Sequence, residues 1–262
     1  MLWLKLLFKN WFLKIRIATL AGNSSFLKYY YQKFWKPKLE SIDAFINELS
    51  KKTNGKAPFT FIQVGSNDGF QNDPICKFIK RDNWQGVLIE PQKSVFPTLS
   101  KIYCRNSVEL VNKAIAKTNQ SMLLYKLGIS EKRWATGLSS FVKDHLVQQI
   151  ENGYVERKLK KHGEKTNLPK DEWIVSETVE CTTFEEVLAG FTSLDLLIID
   201  TEGFDYEILK LFPFNQIHPK TIIYESANLN ATNKENAEQL LKDNGYRLTQ
   251  YPPDTVAELD KK

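Results

Sequence analysis

The chain has few of the residues that build disulfide frameworks and metal centres. Among its 262 residues are three cysteines, which form no C-x-x-C pair, and three histidines, which lie far apart along the chain. An odd number of widely separated cysteines disfavours a disulfide scaffold or a structural zinc site and is typical of a protein of the reducing cytosol. The histidines are too few and too scattered for a histidine-rich site, so the sequence predicts no metal ligand.

Long uncharged apolar runs are also missing. Residues 1–20 are rich in apolar and aromatic side chains, but a basic residue recurs every few positions, which excludes a membrane-spanning helix and disfavours a signal peptide. At 100° per residue the segment has an apolar stripe (Leu4, Phe8, Trp11 and Ile15) and a basic one (Lys5, Lys9 and Arg16). Two interpretations stay open: the helix lies on an anionic membrane, or it packs on its own domain or on a second subunit.

Positive charge is concentrated near the N-terminus. Residues 1–57 carry eleven basic and three acidic side chains, whereas the whole chain has a net charge of only +5. Because the remainder is slightly negative, a nucleic acid substrate is not expected. The turn-forming residues 53–58 suggest a boundary. We therefore predict a basic helical extension at residues 1–57 and a catalytic domain at residues 58–262, in the cytoplasm and with residues 1–20 as a peripheral contact to the inner face of a membrane.

From Phe59 onward, apolar runs alternate with helical patterns, which predicts an α/β domain with a parallel sheet. Seven strands are expected, at Thr60–Val64, Gly86–Ile89, Val108–Asn112, Met122–Leu127, Leu194–Ile199, Thr221–Tyr224 and Tyr246–Gln250. Residues 128–178 form a polar, lysine-rich insertion without a strand pattern, in which residues 144–161 resemble a charged surface helix. Insertions of this kind often form the substrate lid of an α/β enzyme.

The first predicted strand is followed by a glycine turn, Gly65-Ser66-Asn67-Asp68-Gly69, and the second ends at Glu90, 25 residues after Gly65. Such glycines admit a nucleoside ligand, and the carboxylate binds its ribose. The G-x-G-x-x-G fingerprint of a pyrophosphate site is absent, and Asp68 would repel a phosphate. An amino group and a sulfonium would suit Asp68, which points to S-adenosylmethionine. The alternative is an ordinary turn with Glu90 as a surface carboxylate.

Ligands of open parallel sheets bind at the carboxyl ends of the strands. This rule nominates the residues that follow the predicted strands, namely Gly65–Gly69, Glu90, Asn112–Ile115, Asp200–Gly203 and Glu225. Helix capping explains Asp205 and Glu207 well, because both fall in the first turn of the next predicted helix. It does not account for Asp200, which directly follows the apolar run 196–199 and should reach the mouth of the sheet.

The chain resembles the FkbM-type S-adenosylmethionine-dependent methyltransferases over about residues 58–257. The ordered motifs that carry the resemblance are Gly65-Ser66-Asn67-Asp68-Gly69, Glu90-Pro91, Asn112-Lys113-Ala114-Ile115, Leu138-Ser139-Ser140-Phe141, Ile199-Asp200-Thr201-Glu202-Gly203 and Ile223-Tyr224-Glu225. The resemblance implies a Rossmann-like seven-strand methyltransferase sheet and O-methylation, usually of sugar or other metabolite hydroxyls. One departure is that Ser226 and Asn228 stand where such relatives often have histidines.

The motifs assign expected roles to particular residues. The cofactor contacts are Gly65, Ser66, Asn67, Asp68, Gly69, Glu90, Pro91, Ala114 and Ile115. Asp200 is the first candidate for the catalytic base, followed by Glu202 and Glu225. Ser139, Ser140 and His145 are candidate contacts to the acceptor, although the serines also suit a turn or a helix cap and a histidine on a charged helix also suits a solvent-facing position.

Three classes of function compete at this point. The favoured one is an S-adenosylmethionine-dependent O-methyltransferase acting on a hydroxyl of a sugar, glycan or small metabolite. A nicotinamide-dependent oxidoreductase or epimerase on a Rossmann fold is disfavoured by the missing pyrophosphate glycines. A non-catalytic, membrane-peripheral binding protein would leave the acidic residues at the sheet edge without a role.

Overall fold

The computed structural model describes residues 2–52 and 58–260, with the backbone alone for residues 2–10. The predicted boundary at residues 53–57 lies outside the described residues. The strands are β1 (Thr60–Val64), β2 (Gln85–Ile89), β3 (Val108–Val111), β4 (Ala114–Ile115), β5 (Ser121–Leu127), β6 (Ile174–Thr182), β7 (Leu196–Ile199), β8 (Thr221–Glu225), β9 (Tyr246–Tyr251) and β10 (Asp254–Leu259).

Helices connect most of these strands. They are α1 (Leu2–Ala21), α2 (Ser25–Lys33), α3 (Ile42–Lys52), α4 (Cys76–Asp82), α5 (Phe96–Tyr103), α6 (Arg133–Thr136), α7 (Lys143–Glu151), α8 (Tyr154–His162), α9 (Phe184–Leu188), α10 (Asp205–Leu211) and α11 (Ala231–Asp243), with a 3₁₀ turn at Lys170–Glu172. Local sequence sets several ends: Ser24 caps α2 through its side chain, and Asn83 ends α4 in the left-handed conformation.

Seven strands form one sheet in the order β3-β2-β1-β7-β8-β10-β9. Neighbours from β3 to β8 pair in parallel, and β10 runs antiparallel to both β8 and β9. The predicted seven-strand, Rossmann-like α/β sheet is thus confirmed. The strand order reverses between β1 and β7, and this switch point is where open α/β sheets bind their ligands.

Apolar side chains cover both faces of this sheet, as the continuous run of β7 requires. Ile62, Leu197 and Ile222 pack on one face against α9, α10 and α11. Phe61 and Ile198 pack on the other face against α4 and α5. Helices therefore lie on both sides of the sheet, which leaves its carboxyl edge as the place where polar side chains gather.

The N-terminal helices form an outer layer on the second face of the sheet. α1 contacts α5, α2 contacts α4, and Leu20 and Ile46 are buried in the adjoining core. In the predicted apolar stripe of α1, Trp11 and Ile15 are exposed, whereas the side chains of residues 4 and 8 lie outside the described residues. Both interpretations of residues 1–20 thus have a structural counterpart. No helix in the described part of the chain is long and apolar enough to cross a membrane.

Three sequence expectations need correction. The predicted strand at residues 122–127 belongs to a separate three-stranded sheet, ordered β4-β6-β5, and the seventh strand of the main sheet is β10, which was not predicted. The insertion at residues 128–178 contains the first half of β6, whose alternating polar and apolar residues pair antiparallel with β5. The expected single helix at residues 144–161 is two helices, α7 and α8, which pack on each other.

Candidate active site

A cleft opens at the switch point of the main sheet. The ends of β1, β2 and β7 and the insertion form its walls. Its lining residues are Val64, Gly65, Asn67, Ile89, Glu90, Pro91, Gln92, Ala114, Ile115, Leu124, Arg133, Thr136, Gly137, Ser139, Phe141, Asp200, Thr201, Glu202 and Ile208.

The glycines of the turn after β1 are needed for close packing within the protein. Gly65 has φ +86°, and a Cβ atom there would lie 1.8 Å from the carbonyl oxygen of Asp200. Gly69 has φ +70°, and a Cβ atom would meet Leu99 and Tyr103 at 2.4 and 2.7 Å. Gly65 therefore brings the turn against the end of β7, whereas Gly69 brings it against α5. Only the first of the two glycines lines the cleft.

The side chains within this turn point in different directions. Asn67 lines the cleft and adopts a left-handed conformation with φ +46°. Ser66 is buried outside the cleft and donates to the carbonyl of Gln63 at 3.3 Å. Asp68 accepts hydrogen bonds from the backbone amides of Phe70 and Gln71. The Asp68 carboxylate therefore stabilises the turn and lies outside the cleft lining, and its predicted contact with an amino group of the cofactor stays a prediction.

Glu90 is buried at the end of β2 and lines the cleft as predicted. Its two carboxylate oxygens accept the backbone amides of Asn67 at 2.7 Å and Gln92 at 2.8 Å. Burial raises the pKa of Glu90 to about 7, against the lowering effect of these hydrogen bonds and of Arg133. This carboxylate is therefore a structural support of the turn as well as a candidate ligand contact.

Apolar residues form the wall of the cleft next to Glu90. Ala114 and Ile115 form the short strand β4. Between β3 and β4, the side-chain amide of Asn112 donates a hydrogen bond to the carbonyl of Glu90 at 2.7 Å. Phe141 adds an aromatic ring from the insertion. Together with Pro91, these residues provide a flat apolar surface of the kind that binds an aromatic base.

The insertion is hydrogen-bonded to the side of the cleft that Asn67 and Gln92 form, which we call the cofactor side. The carbonyl of Thr136 accepts from the side-chain amides of Asn67 and Gln92, both at 3.1 Å. Ser139 lines the cleft and donates to the side-chain oxygen of Gln92 at 2.9 Å. Ser140 is buried and donates to the backbone carbonyl of Glu202 at 2.8 Å. Ser139 therefore remains available to a ligand, whereas Ser140 supports the opposite wall.

Three carboxylates meet at the carboxyl ends of β7 and β8. One oxygen each of Asp200, Glu202 and Glu225 lies within 4.8 Å of the others. Glu202 has φ +52°, a conformation uncommon for residues other than glycine and of the kind that clusters at functional sites. Asn228 donates to both Glu202 at 2.9 Å and Glu225 at 2.7 Å.

The electrostatics of this carboxylate cluster, Asp200, Glu202 and Glu225, favour protonation. Burial and the neighbouring Asp200 and Glu225 raise the pKa of Glu202 to about 9. Burial and Asp200 raise the pKa of Glu225 to about 7, and burial raises the pKa of Asp200. Arg133 lowers all three pKa values. Perturbed carboxylates in a cleft are typical of a functional site.

His145 and Asp205 are both buried, which the sequence alone did not predict. His145 is buried on α7, and its Nε2 atom lies 3.5 Å from Oε2 of Glu202, so the solvent-facing alternative is wrong. Asp205 is fully buried and accepts from the hydroxyl of Thr201 and from the backbone amides of Gly203 and Glu225. It therefore joins the loop after β7 to β8 instead of only capping its own helix.

A larger cavity of about 1910 Å³ adjoins the cleft and shares Arg133, Asp200 and Glu202 with it. Polar residues dominate its wall, among them Asp73, Lys77, Lys158, Glu225 and Asp254. The sequence did not identify Arg133, Gln92, Thr136 or Asn228 as site residues. None of these belongs to a periodic pattern, and only Asn228 had a signal, as the position where the resemblance led us to expect a histidine.

A sequence-family model described as the methyltransferase FkbM domain matches residues 63–248. The chain belongs to the FkbM methyltransferase family. This family membership confirms the predicted resemblance and makes S-adenosylmethionine the cofactor. It also favours a methyltransferase over the nicotinamide-dependent and non-catalytic alternatives.

Three solved structures illustrate what the chain is similar to. The precorrin-6y C5,15-methyltransferase from Geobacter metallireducens GS-15 is 11% identical, with 87% of this chain and 95% of that chain covered and a TM-score of 0.39. The SAH-bound methyltransferase PaMTH1 of Podospora anserina is 8% identical, with 90% and 86% covered and a TM-score of 0.40. The N-terminal domain of human METTL16 in complex with SAH is 8% identical, with 87% and 73% covered and a TM-score of 0.40.

These similarities are too distant to carry an argument about this FkbM methyltransferase. A search of curated proteins finds none that matches the chain. The fit of the cofactor is therefore tested on the cleft itself. Glu90 presents a buried carboxylate to ribose hydroxyls, and the wall of Pro91 and Ile115 suits an adenine ring. These features fit S-adenosylmethionine.

Proposed function

We propose that this methyltransferase methylates a hydroxyl group of a sugar, a glycan or a small metabolite. The observation that carries the proposal is the position of Asp200 and Glu202, which line both the cofactor cleft and the larger polar cavity. A base at this junction lies between a cofactor on one side and an acceptor on the other. Methyl transfer to a hydroxyl needs such a base because an alcohol is a poor nucleophile until it loses its proton.

Asp200 is the proposed proton acceptor, with Glu202 and Glu225 as the other catalytic candidates. Bound S-adenosylmethionine supplies a methyl group on a positively charged sulfur. Asp200 would accept the proton of the acceptor hydroxyl, while the cofactor would supply the methyl group to the hydroxyl oxygen and keep the electron pair of its carbon–sulfur bond on sulfur. Burial raises the pKa of Asp200 and so moves it towards the range useful for a general base.

The proposal that the acceptor is a hydroxylated molecule rests on the residues that line the larger cavity. Carboxylates and lysines, including Asp73, Lys77, Lys158 and Asp254, offer donors and acceptors to a molecule with many hydroxyl groups. Ser139 adds a hydroxyl from the insertion. We propose that residues 128–178 act as a substrate lid, because their α6 and the residues after it contact the cleft.

The test is methyl transfer from S-adenosylmethionine with a labelled methyl group to a panel of sugars, nucleotide-linked sugars, glycans and hydroxylated metabolites. We expect label in a product whose methyl group survives mild alkali, as an ether does. Transfer only to amines, or to carboxylates as alkali-labile esters, would contradict O-methylation. Comparison of glycans and metabolites between a deletion strain and its parent, by mass spectrometry for the loss of one methyl group, would identify the acceptor.

A further inference from the structure

The carboxylate cluster brings three acidic groups together with little positive charge around them, so the cluster must bind either protons or a cation. Asp200, Glu202 and Glu225 approach one another within 4.8 Å, and the cleft residue that acts on all three with positive charge is Arg133. The amide of Asn228 orients two of them but is neutral. Like charges held this close repel strongly in a partly buried site. A bound cation would remove this repulsion.

The second, independent observation is the imidazole of His145. Its side chain is only 7% exposed, and Nε2 has no hydrogen-bond partner among the described residues although it lies 3.5 Å from Oε2 of Glu202. A neutral imidazole ring has a lone pair on one of its two nitrogens. A buried nitrogen without a partner is unfavourable for the folded state, so a ligand that accepts this lone pair is expected.

We propose that one divalent cation binds between one oxygen each of Asp200, Glu202 and Glu225 and the Nε2 atom of His145. Three hard oxygen ligands and one imidazole suit a metal such as Mn²⁺, which accepts both ligand types. Its role rests on the proposed function: a cation at the junction of the two cavities would bind the acceptor hydroxyl and lower the pKa of that hydroxyl. The second oxygen of Asp200 stays available to accept the proton.

The test measures Mn²⁺ binding to the EDTA-treated full chain by calorimetry, so it does not depend on finding the acceptor. We expect one Mn²⁺ per chain, at least tenfold weaker binding in Glu202→Gln and Glu225→Gln, and a smaller loss in His145→Ala. The His145→Ala loss should be larger for Mn²⁺ than for Mg²⁺, because imidazole suits the transition metal better. Glu207→Gln is the matched control, since Glu207 is half-exposed on α10 and pairs with Lys210.

Binding of S-adenosylhomocysteine to each variant separates the metal proposal from the proposed function. If wild type binds S-adenosylhomocysteine but not Mn²⁺, the cation site is refuted and the proposed methyl transfer is unaffected. Equal Mn²⁺ affinity in Glu202→Gln and Glu207→Gln also overturns it, because the ion would then bind elsewhere. If the variants unfold, the melting temperature of wild type is measured with and without Mn²⁺. Mn²⁺ must raise this temperature, and an unchanged temperature refutes the site.

A second inference comes from the surface of the N-terminal layer. Eight of the eleven large apolar side chains that are exposed among the described residues lie at positions 11–39. Phe26 is 73% exposed, Phe34 is 65% exposed and Leu39 is 85% exposed. Residues 11–39 also carry six basic side chains and no acidic one. We propose that this surface binds an anionic lipid bilayer, into which the apolar groups insert.

Sedimentation with phosphatidylcholine vesicles, with and without phosphatidylglycerol, tests this second inference on the full chain. Truncation after residue 20 is unsuitable because Leu20 belongs to the core. We expect binding to the anionic vesicles that falls at least tenfold in the double variant Phe26→Ser, Phe34→Ser but not in the control Leu168→Ser, an exposed position in the insertion. No vesicle binding, equal binding by both variants, or a lipid-free dimer that the double variant abolishes would refute membrane docking.

Discussion

Glu90 offers the sharpest test of the cofactor site because it has two separable roles. Its carboxylate accepts the amides of Asn67 and Gln92 and lines the cleft. Glu90→Ala leaves both amides without their acceptor, which should reduce the free energy of unfolding by roughly 2–6 kcal/mol at about 1–3 kcal/mol for each donor. The lost ribose contacts should weaken cofactor binding by roughly 2–3 kcal/mol, or roughly 30- to 140-fold in Kd.

The raised pKa of Glu90 adds a pH signature to this prediction. In the unliganded protein the pKa rises from 4.5 to about 7, so the folded state binds more protons than the unfolded state between these values. The stability that Glu90 contributes is thus present below 4.5 and is lost as the pH rises through about 7. Ribose hydroxyls donate to the ionised carboxylate, so affinity for S-adenosylhomocysteine should instead increase as the pH rises through about 7 and then level off.

Calorimetric titration of S-adenosylhomocysteine across this pH range, with denaturant unfolding in parallel, measures both roles. Glu90→Gln should bind weakly and lose the pH dependence, because its side chain does not titrate. Glu109→Gln, at an exposed position on the neighbouring β3, is the control and should behave like wild type. A folded Glu90→Gln protein with wild-type affinity at every pH would refute the assignment of Glu90 to the ribose.

Three further predictions concern the end of β7. Asp200→Asn should keep the fold and S-adenosylhomocysteine affinity but lower turnover by about 10² to 10⁴, the usual contribution of a general base, and near-normal turnover would remove that role. Gly65→Ala should lower the free energy of unfolding by roughly 3 kcal/mol or more, because its Cβ would overlap the Asp200 carbonyl oxygen; Gly190→Ala, which meets no atom within 4 Å, is the control. Asp205→Asn should destabilise the protein in urea by roughly 1–3 kcal/mol through its buried hydrogen bonds, whereas the half-exposed Glu207→Gln should not, and equal midpoints would show that Asp205 is not structural.

The parts of the fold that the sequence predicted are those with a strong local pattern. The apolar run before Asp200 located β7 and the carboxyl edge of the sheet, and the turn at Gly65 located the switch point. The strand β10 was missed because it follows Pro253 directly and is partly polar. The strand β6 was missed because its alternation lies inside a segment whose lysines dominate the composition.

The candidate site was predicted where it depends on strand ends and missed where it depends on tertiary contacts. Glu90 and Asp200 follow strands, and the carboxyl-edge rule finds them without knowledge of the packing. No sequence pattern shows that Asp68 turns back onto the backbone, that His145 is buried against Glu202, or that Arg133 reaches the carboxylates from the insertion. The Asp68 contacts are local to its turn, whereas the positions of His145 and Arg133 depend on how residues 128–178 fold over the sheet.

The hydrogen bonds of the insertion have a consequence for the order of events in a catalytic cycle. The Thr136 carbonyl accepts a hydrogen bond from Asn67 on the cofactor side of the cleft, and the Ser140 hydroxyl donates one to the Glu202 carbonyl beside the carboxylate cluster. Thr136 and Ser140 are only a few residues apart in the chain. A movement that opens one side therefore strains the other, so the methylated product and S-adenosylhomocysteine are expected to leave in a single opening step. Chemistry faster than this step would appear as a burst in the first turnover, followed by a slower steady state.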